Sequence, residues 1–255
     1  MANPSALLIH QAGLALGGRA ILQGINLDLP PGQVLALLGG SGCGKTTLLR
    51  AIAGLQRCEG EVLLAGRPLH DWPSADRARQ LAWMGQQESG ADDLTAWDIV
   101  MLGRLPHRPW LAPPTAADHR AAEAAMRSTQ SWAWRERRLG SLSGGELQRV
   151  LLARVLAVDA PLTLMDEPLA HLDPPHQAEW MVLVRARVAA GHGVASVLHE
   201  LHLALQADHL VLMADCRIVH SGAPADAATH DALRRVFGPS LHIAQIEGRW
   251  VALPL

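Results

Sequence analysis

The chain has 255 residues, 49% of them hydrophobic, and a formal net charge of −2 with 13 histidines counted neutral. That supports one large core and gives no basic excess of the kind nucleic-acid binding needs. Three cysteines without metal spacing fit a reduced, cytoplasmic protein, and no apolar run approaches the roughly 18 residues of a membrane span, so work at a membrane implies a partner.

Strands are expected at Leu7–Ile9, at Ile25–Leu29 with a possible extension over Ala20–Leu22, and at Val34–Leu38. Gly17-Gly18 and Pro30-Pro31-Gly32 separate them. Glu61–Leu64 is a further strand, and this opening third reads as an antiparallel sheet beside a nucleotide-binding core. Leu81–Met84 is another strand. The composition then turns helical: Thr95–Gly103, a proline-rich connection over 106–114, and Thr115 to about Gln130, opened by a capping box with Asp118. Residues 88–141 are expected to form a helical subdomain inserted into an α/β core of 1–87 and 142–255. Beyond it come a helix from Ser143 to about Val158, a strand at Leu162–Met165, a helix from Pro174 to Ala190, and a strand at Val194–Leu198. The chain closes with a hairpin at 210–220, a short helix near Asp231–Val236 and a last hairpin turning at Glu247-Gly248.

Three stretches carry chemistry. Gly39-Gly40-Ser41-Gly42-Cys43-Gly44-Lys45-Thr46-Thr47 fits G-x-x-x-x-G-K-[ST] between a strand and a helix. Its glycines let backbone N–H groups turn inward on a phosphate, Lys45 reaches the β- and γ-phosphates, and the Thr46 hydroxyl is placed for Mg²⁺. Lys45 is the only lysine in the chain. The apolar strand ending Asp166-Glu167 supplies a carboxylate for the metal shell and a second that can polarise an attacking water. Leu142-Ser143-Gly144-Gly145-Glu146 opens a helix whose exposed N–H groups make a second anion site, which suits a phosphate brought by another subunit.

With these motifs in order over nearly its whole length, the chain resembles the ATP-binding subunits of ABC transporters. The resemblance implies a P-loop NTPase core with an antiparallel β subdomain and an inserted helical subdomain. It makes Gly39–Thr47 the Walker A loop, Leu162–Glu167 the Walker B strand and Leu142–Glu146 the signature, with Glu in place of the commoner Gln. Gln86 falls at the Q-loop, Asp173 in the D-loop and His199 at the switch histidine. It further implies a head-to-tail homodimer with two ATPs between subunits. Thr46, Gln86 and Asp166 would serve Mg²⁺, and Ser143, Gly144 and Gly145 the partner's γ-phosphate. Glu167 would be the base, with His199 and Gln86 completing the catalytic set. Such a subunit sits on the cytoplasmic face of the inner membrane beneath a multi-span permease fed by a periplasmic binding protein, with no nucleic acid involved.

Two departures stand out. The family places an aromatic residue against adenine just before the Gly-Gly turn, where this chain has Leu16; Arg19 or His10 could take its place. Gly85 replaces the commoner proline before Gln86. Leu102-Gly103-Arg104-Leu105-Pro106-His107 is similar to subunits serving importers of ferric siderophores, haem and cobalamin, with residues near Gln86–Arg104 receiving the permease. The rivals are a soluble ABC ATPase acting on ribosomes or DNA, an ABC subunit for another substrate, and a non-hydrolysing regulatory subunit. The first usually brings a second cassette, a coiled coil or a basic surface; the last is opposed by intact Lys45, Asp166, Glu167 and His199. His199-Glu200-Leu201-His202 spaces its histidines i,i+3, one short of the zinc motif, so zinc is rejected.

Overall fold

The computed structural model describes residues 6–85 and 92–254. Its strands are β1 (Leu7–Leu16), β2 (Arg19–Leu29), β3 (Val34–Gly39), β4 (Glu59–Leu64), β5 (Arg67–Pro68), β6 (Leu81–Met84), β7 (Leu162–Asp166), β8 (Gly193–Val197), β9 (His209–Ala214), β10 (Arg217–Gly222), β11 (Leu241–Ile246) and β12 (Arg249–Pro254). Its α-helices are α1 (Lys45–Ile52), α2 (Ser74–Gln80), α3 (Ala96–Leu102), α4 (Ala116–Ser128), α5 (Gly144–Val158), α6 (Pro174–Ala189), α7 (Leu201–Ala204) and α8 (Ala227–Phe237).

A six-stranded sheet in the order β10-β9-β3-β8-β7-β6 forms the centre. It is parallel except for β10, which pairs antiparallel with β9. Both faces are covered, as a parallel sheet requires. Val34, Ala36 and Leu38 of β3 join one hydrophobic cluster, while Leu35 and Leu37 join the other. Strand β9 divides the same way, with Leu210 and Leu212 on one side and Val211 and Met213 on the other.

One cluster lies under α1 and the four-stranded antiparallel sheet β2-β1-β4-β5. Of the strands expected in the opening third, β3 belongs to the parallel sheet. The other cluster joins α5 and α6 to α3 and α4, so these four helices share a core with the central sheet. The isolated bridge between Thr95 and Arg138 brings the two ends of that helical stretch together.

Strand β1 runs seven residues past its expected end, because bulges break its alternation. Leu7 and Ile9 are buried, and the inward set resumes one position out of step at Ala12 and Leu14. Helix α2 was not expected: none of its residues is buried, so it carries no amphipathic stripe.

Candidate active site

Register gathers the chemistry at one edge. Asp166 pairs with Val197 and Val197 with Leu37, so the carboxyl ends of β7, β8 and β3 lie level across three adjacent strands. The Gly39–Lys45 loop, Glu167 and His199 all leave the sheet there, the end at which open α/β sheets bind ligands.

The loop is fixed by close packing. A Cβ on Gly39 would stand 2.2 Å from the Met213 carbonyl oxygen, and φ there is +151°. A Cβ on Gly44 would stand 2.6 Å from the Ile21 carbonyl oxygen, at φ +104°. Only glycine meets both demands. Gly44 is the N-cap of α1 with no side-chain cap, so the first-turn N–H groups face the loop as an anion site. Lys45 is buried, and its Nζ donates to the carbonyls of Gly39 at 2.8 Å and Gly40 at 2.9 Å. The ammonium is thereby held inside the loop that carries Gly40, Ser41, Gly42 and Cys43, with the Cys43 Sγ 4.0 Å away.

Asp166 is 1% exposed, and neither carboxylate oxygen has a hydrogen-bond partner among the described residues. Burial pushes its carboxyl up. The Thr46 hydroxyl, close by but outside hydrogen-bond geometry, pulls it down, as do Lys45 and His199, while Glu167 adds to the rise. An orphaned buried carboxylate beside a hydroxyl is costly alone and suits a hard divalent cation with oxygen ligands. The residues present therefore fit Mg²⁺ held by Asp166 and Thr46. Gln86, the third expected ligand, lies outside the described residues.

Glu167 follows directly, at φ +53°. Its Oε1 accepts from His199 Nε2 at 2.9 Å, so the expected base and switch histidine touch. An ionised carboxylate has no proton to give, so the imidazole donates.

Ser143, Gly144 and Gly145 stand at the start of α5. Ser143 caps it in a reciprocal box: its N–H donates to Glu146 Oε2 at 2.7 Å, and its Oγ accepts from the Glu146 N–H at 3.3 Å. The Ser143 O–H remains able to donate onward. The Glu146 carboxyl is held below its usual range by the Ser143 N–H and by Arg137, whose Nη1 lies 2.8 Å away. Arg137 thus offsets the charge that Glu brings where Gln is commoner, a compensation invisible in the sequence.

Leu16 is 51% exposed at the hairpin end, paired with Arg19. The neighbouring Ile21 carbonyl abuts Gly44, so this end of the hairpin lies over the phosphate loop. His10 sits six residues back along β1, about 20 Å at strand rise, and is excluded as a stand-in for the missing ring. Gly85 packs under Trp83, whose Nε1 would be 3.0 Å from an added Cβ, so a larger residue there requires the indole to shift by a few tenths of an ångström.

The Leu102–His107 segment is tied to α4 and α5 by its polar side chains. Arg104 Nε donates to Asp118 at 3.1 Å and its Nη1 to the Ala157 carbonyl at 2.6 Å, while His107 Nε2 meets the Val158 carbonyl at 2.7 Å. Arg104 and His107 turn inward and cap the C-terminus of α5. A Cβ on Gly103 would lie 2.2 Å from the Arg154 carbonyl oxygen, so α3 and α5 meet there backbone to backbone. The outward face of the segment is Leu102 and Leu105, both exposed.

Residues 22–170 match the ABC transporter family model. The chain is 39% identical over 247 residues to the hemin import ATP-binding protein HmuV of Streptomyces coelicolor, covering 95% of this chain and 87% of that one. It is 35% identical over 237 residues to the achromobactin transport ATP-binding protein CbrD of Dickeya dadantii, covering 91% and 88%. Among solved structures, a transporter assigned to the metal-chelate type, in an inward-facing conformation, superposes with a TM-score of 0.82 at 26% identity, covering 99% of this chain and 98% of that one. A dimeric ATP-binding cassette in a post-hydrolysis state with ADP and phosphate gives 0.77 at 24% identity, covering 86% and 99%.

Proposed function

The chain belongs to the ABC transporter family as an ATP-hydrolysing subunit, and from that premise we propose that it drives import of an iron chelate, hemin or a ferric siderophore, through a membrane permease. The relatives' named substrates support the iron chelate; cobalamin has no such support among them. No described helix is long and apolar enough to cross a membrane, which agrees with a permease as the spanning partner at the inner membrane's cytoplasmic face. A periplasmic binding protein would choose the substrate. On the same reading, 88–141 is a helical subdomain inserted between 1–87 and 142–255.

The observation that carries the hydrolytic reading is the alignment of Lys45, Asp166, Glu167 and His199 at the ends of adjacent parallel strands. Gly39, Gly40, Gly42 and Gly44, with Ser41 and Cys43 between them, and the α1 N-terminus, with Thr47 in its first turn, wrap the phosphates, and Lys45 offsets their charge. Mg²⁺ at Asp166 and Thr46 would neutralise charge on the β- and γ-oxygens. Glu167 Oε1, now bonded to His199, is the acceptor for a proton of the attacking water, and His199 keeps that carboxylate aimed. Gln86 would complete the set. Ser143, Gly144 and Gly145 would close on the γ-phosphate of a second copy, giving a head-to-tail homodimer that tightens around ATP and opens after hydrolysis.

The test is uptake in cells lacking only this chain, offered labelled hemin, ferric siderophore and cobalamin separately. We expect loss of hemin or siderophore uptake, restored by the wild-type chain and not by Glu167→Gln. Loss of cobalamin uptake alone, or full rescue by Glu167→Gln, overturns the reading.

A further inference from the structure

One face of α5 carries contacts that the nucleotide chemistry above does not use. Gln148 is 9% exposed, and its Nε2 donates to the Pro168 carbonyl at 2.8 Å and to the Glu167 carbonyl at 3.3 Å. Gly144 lies four residues earlier, on the same face of the helix. A Cβ there would meet the Cβ of His171 at 3.2 Å, and one on Gly145 would meet the His171 carbonyl oxygen at 3.1 Å. The loop from Glu167 to His171 therefore runs along α5, from Gln148 back to the two glycines at the helix start.

That loop is wound tightly. Glu167 sits at φ +53° and His171 at φ +64°, a region that side-chain-bearing residues rarely occupy. Such conformations persist only where the surroundings over-determine them. The Glu167 N–H donates to the Val197 carbonyl at 3.2 Å, and its carbonyl accepts from the Ala170 N–H at 3.2 Å. Gln148 is the one hold on Glu167 in this set that comes from the helix whose start would grip another subunit's ATP.

We propose that Gln148 is a positioning residue that couples the two phosphate-facing ends of the chain. A pull on the start of α5 by a partner's γ-phosphate is transmitted through the Gln148 amide to the carbonyls of Glu167 and Pro168. It seats the Glu167 carboxylate for attack at the chain's own ATP. Each site then hydrolyses efficiently only when the other is closed. The inference rests on the head-to-tail reading given above.

Steady-state ATP hydrolysis by the full-length chain tests it. Gln148→Met keeps the volume and removes the donor. The expected result is kcat lowered about tenfold, KM within about twofold of wild type, and a Hill coefficient that falls toward about 1. A structural filler would leave that split unmoved. Should the methionine variant fail to fold, Gln148→Leu is close in size, lacks the donor and carries the same expectation. Wild-type kcat and Hill coefficient in a folded variant, or a raised KM at unchanged kcat, overturn the coupling role. Glu167→Gln is measured alongside. If it turns over like wild type, the hydrolytic reading itself has failed; if it is inactive while Gln148→Met is normal, only the coupling inference has.

Discussion

Leu16 stands where the family resemblance leads one to expect an aromatic ring. It stands exposed at the hairpin end over the phosphate loop, where a ring would lie on adenine. An aliphatic side chain offers no stacking face, which removes on the order of 1 kcal/mol of base contact. Phosphate contacts through Lys45 and the loop N–H groups are blind to the base. GTP should therefore compete with ATP at comparable concentration, and Leu16→Tyr should tighten ATP about fivefold with kcat unchanged. Competition binding measures both; strong ATP preference in the wild-type chain would show that Arg19 or another group already reads the base. Residues whose type and spacing are the chemistry, such as Lys45, Asp166, Glu167 and His199, were legible in the sequence. Gln148, Arg137 and His171 were not, because each acts through a partner 9 to 27 positions away that only folding brings close.

Among the elements, α3, α4 and α5 are joined by one buried cluster. Asp118 caps α4 through the Thr115 N–H and hydroxyl, and pairs with Arg104, which reaches on to α5. The Thr115 hydroxyl and N–H, with Arg104, hold the Asp118 carboxyl down from 3.8 to about 2. A depressed carboxylate stabilises the fold above its unfolded value and loses that contribution as pH falls through the folded one. The difference corresponds to stability on the order of 2 kcal/mol near neutral pH. Asp118→Asn should lose about that much near pH 7, and the gap from wild type should narrow steadily between roughly pH 5 and pH 2. Urea unfolding of both proteins across that range checks it; a gap independent of pH would mean that packing around Asp118, not its charge, does the stabilising. The Thr–x–x–Asp spacing made this cap visible in sequence. The Arg104 link was hidden, because the Ala157 carbonyl it reaches lies 53 positions further along the chain. Helix α2 and the far half of β1 escaped for the opposite reason: neither shows the period that burial on one face imposes.

At the scale of the whole molecule, the proposed reading gives one chain two half-sites, and no bond among the described residues joins Lys45 to Ser143. Lys45 bonds within its own loop, and Ser143 within its own turn. If each ATP takes Lys45 from one copy and Ser143 from another, two crippled chains should repair each other. Lys45→Ala removes the first half-site and Ser143→Arg blocks the second, so either homodimer has both sites damaged. In the mixed dimer, both defects fall on one site and leave the other intact. Hydrolysis should be near zero for each variant alone and return on mixing, toward roughly a quarter of the wild-type rate if half the dimers are mixed and one site works in each. Sites built within single chains would stay dead in every mixture. Cooperativity bears on the size of the recovery: the more strictly each site needs the other closed, the smaller the restored turnover. ATP occlusion by the mixture, which needs closure but no hydrolysis, is therefore the measurement to make beside it. Occlusion with little turnover would place the coupling between sites in the hydrolytic step, where Gln148 acts, and recovery of neither would remove the head-to-tail arrangement on which both proposals stand.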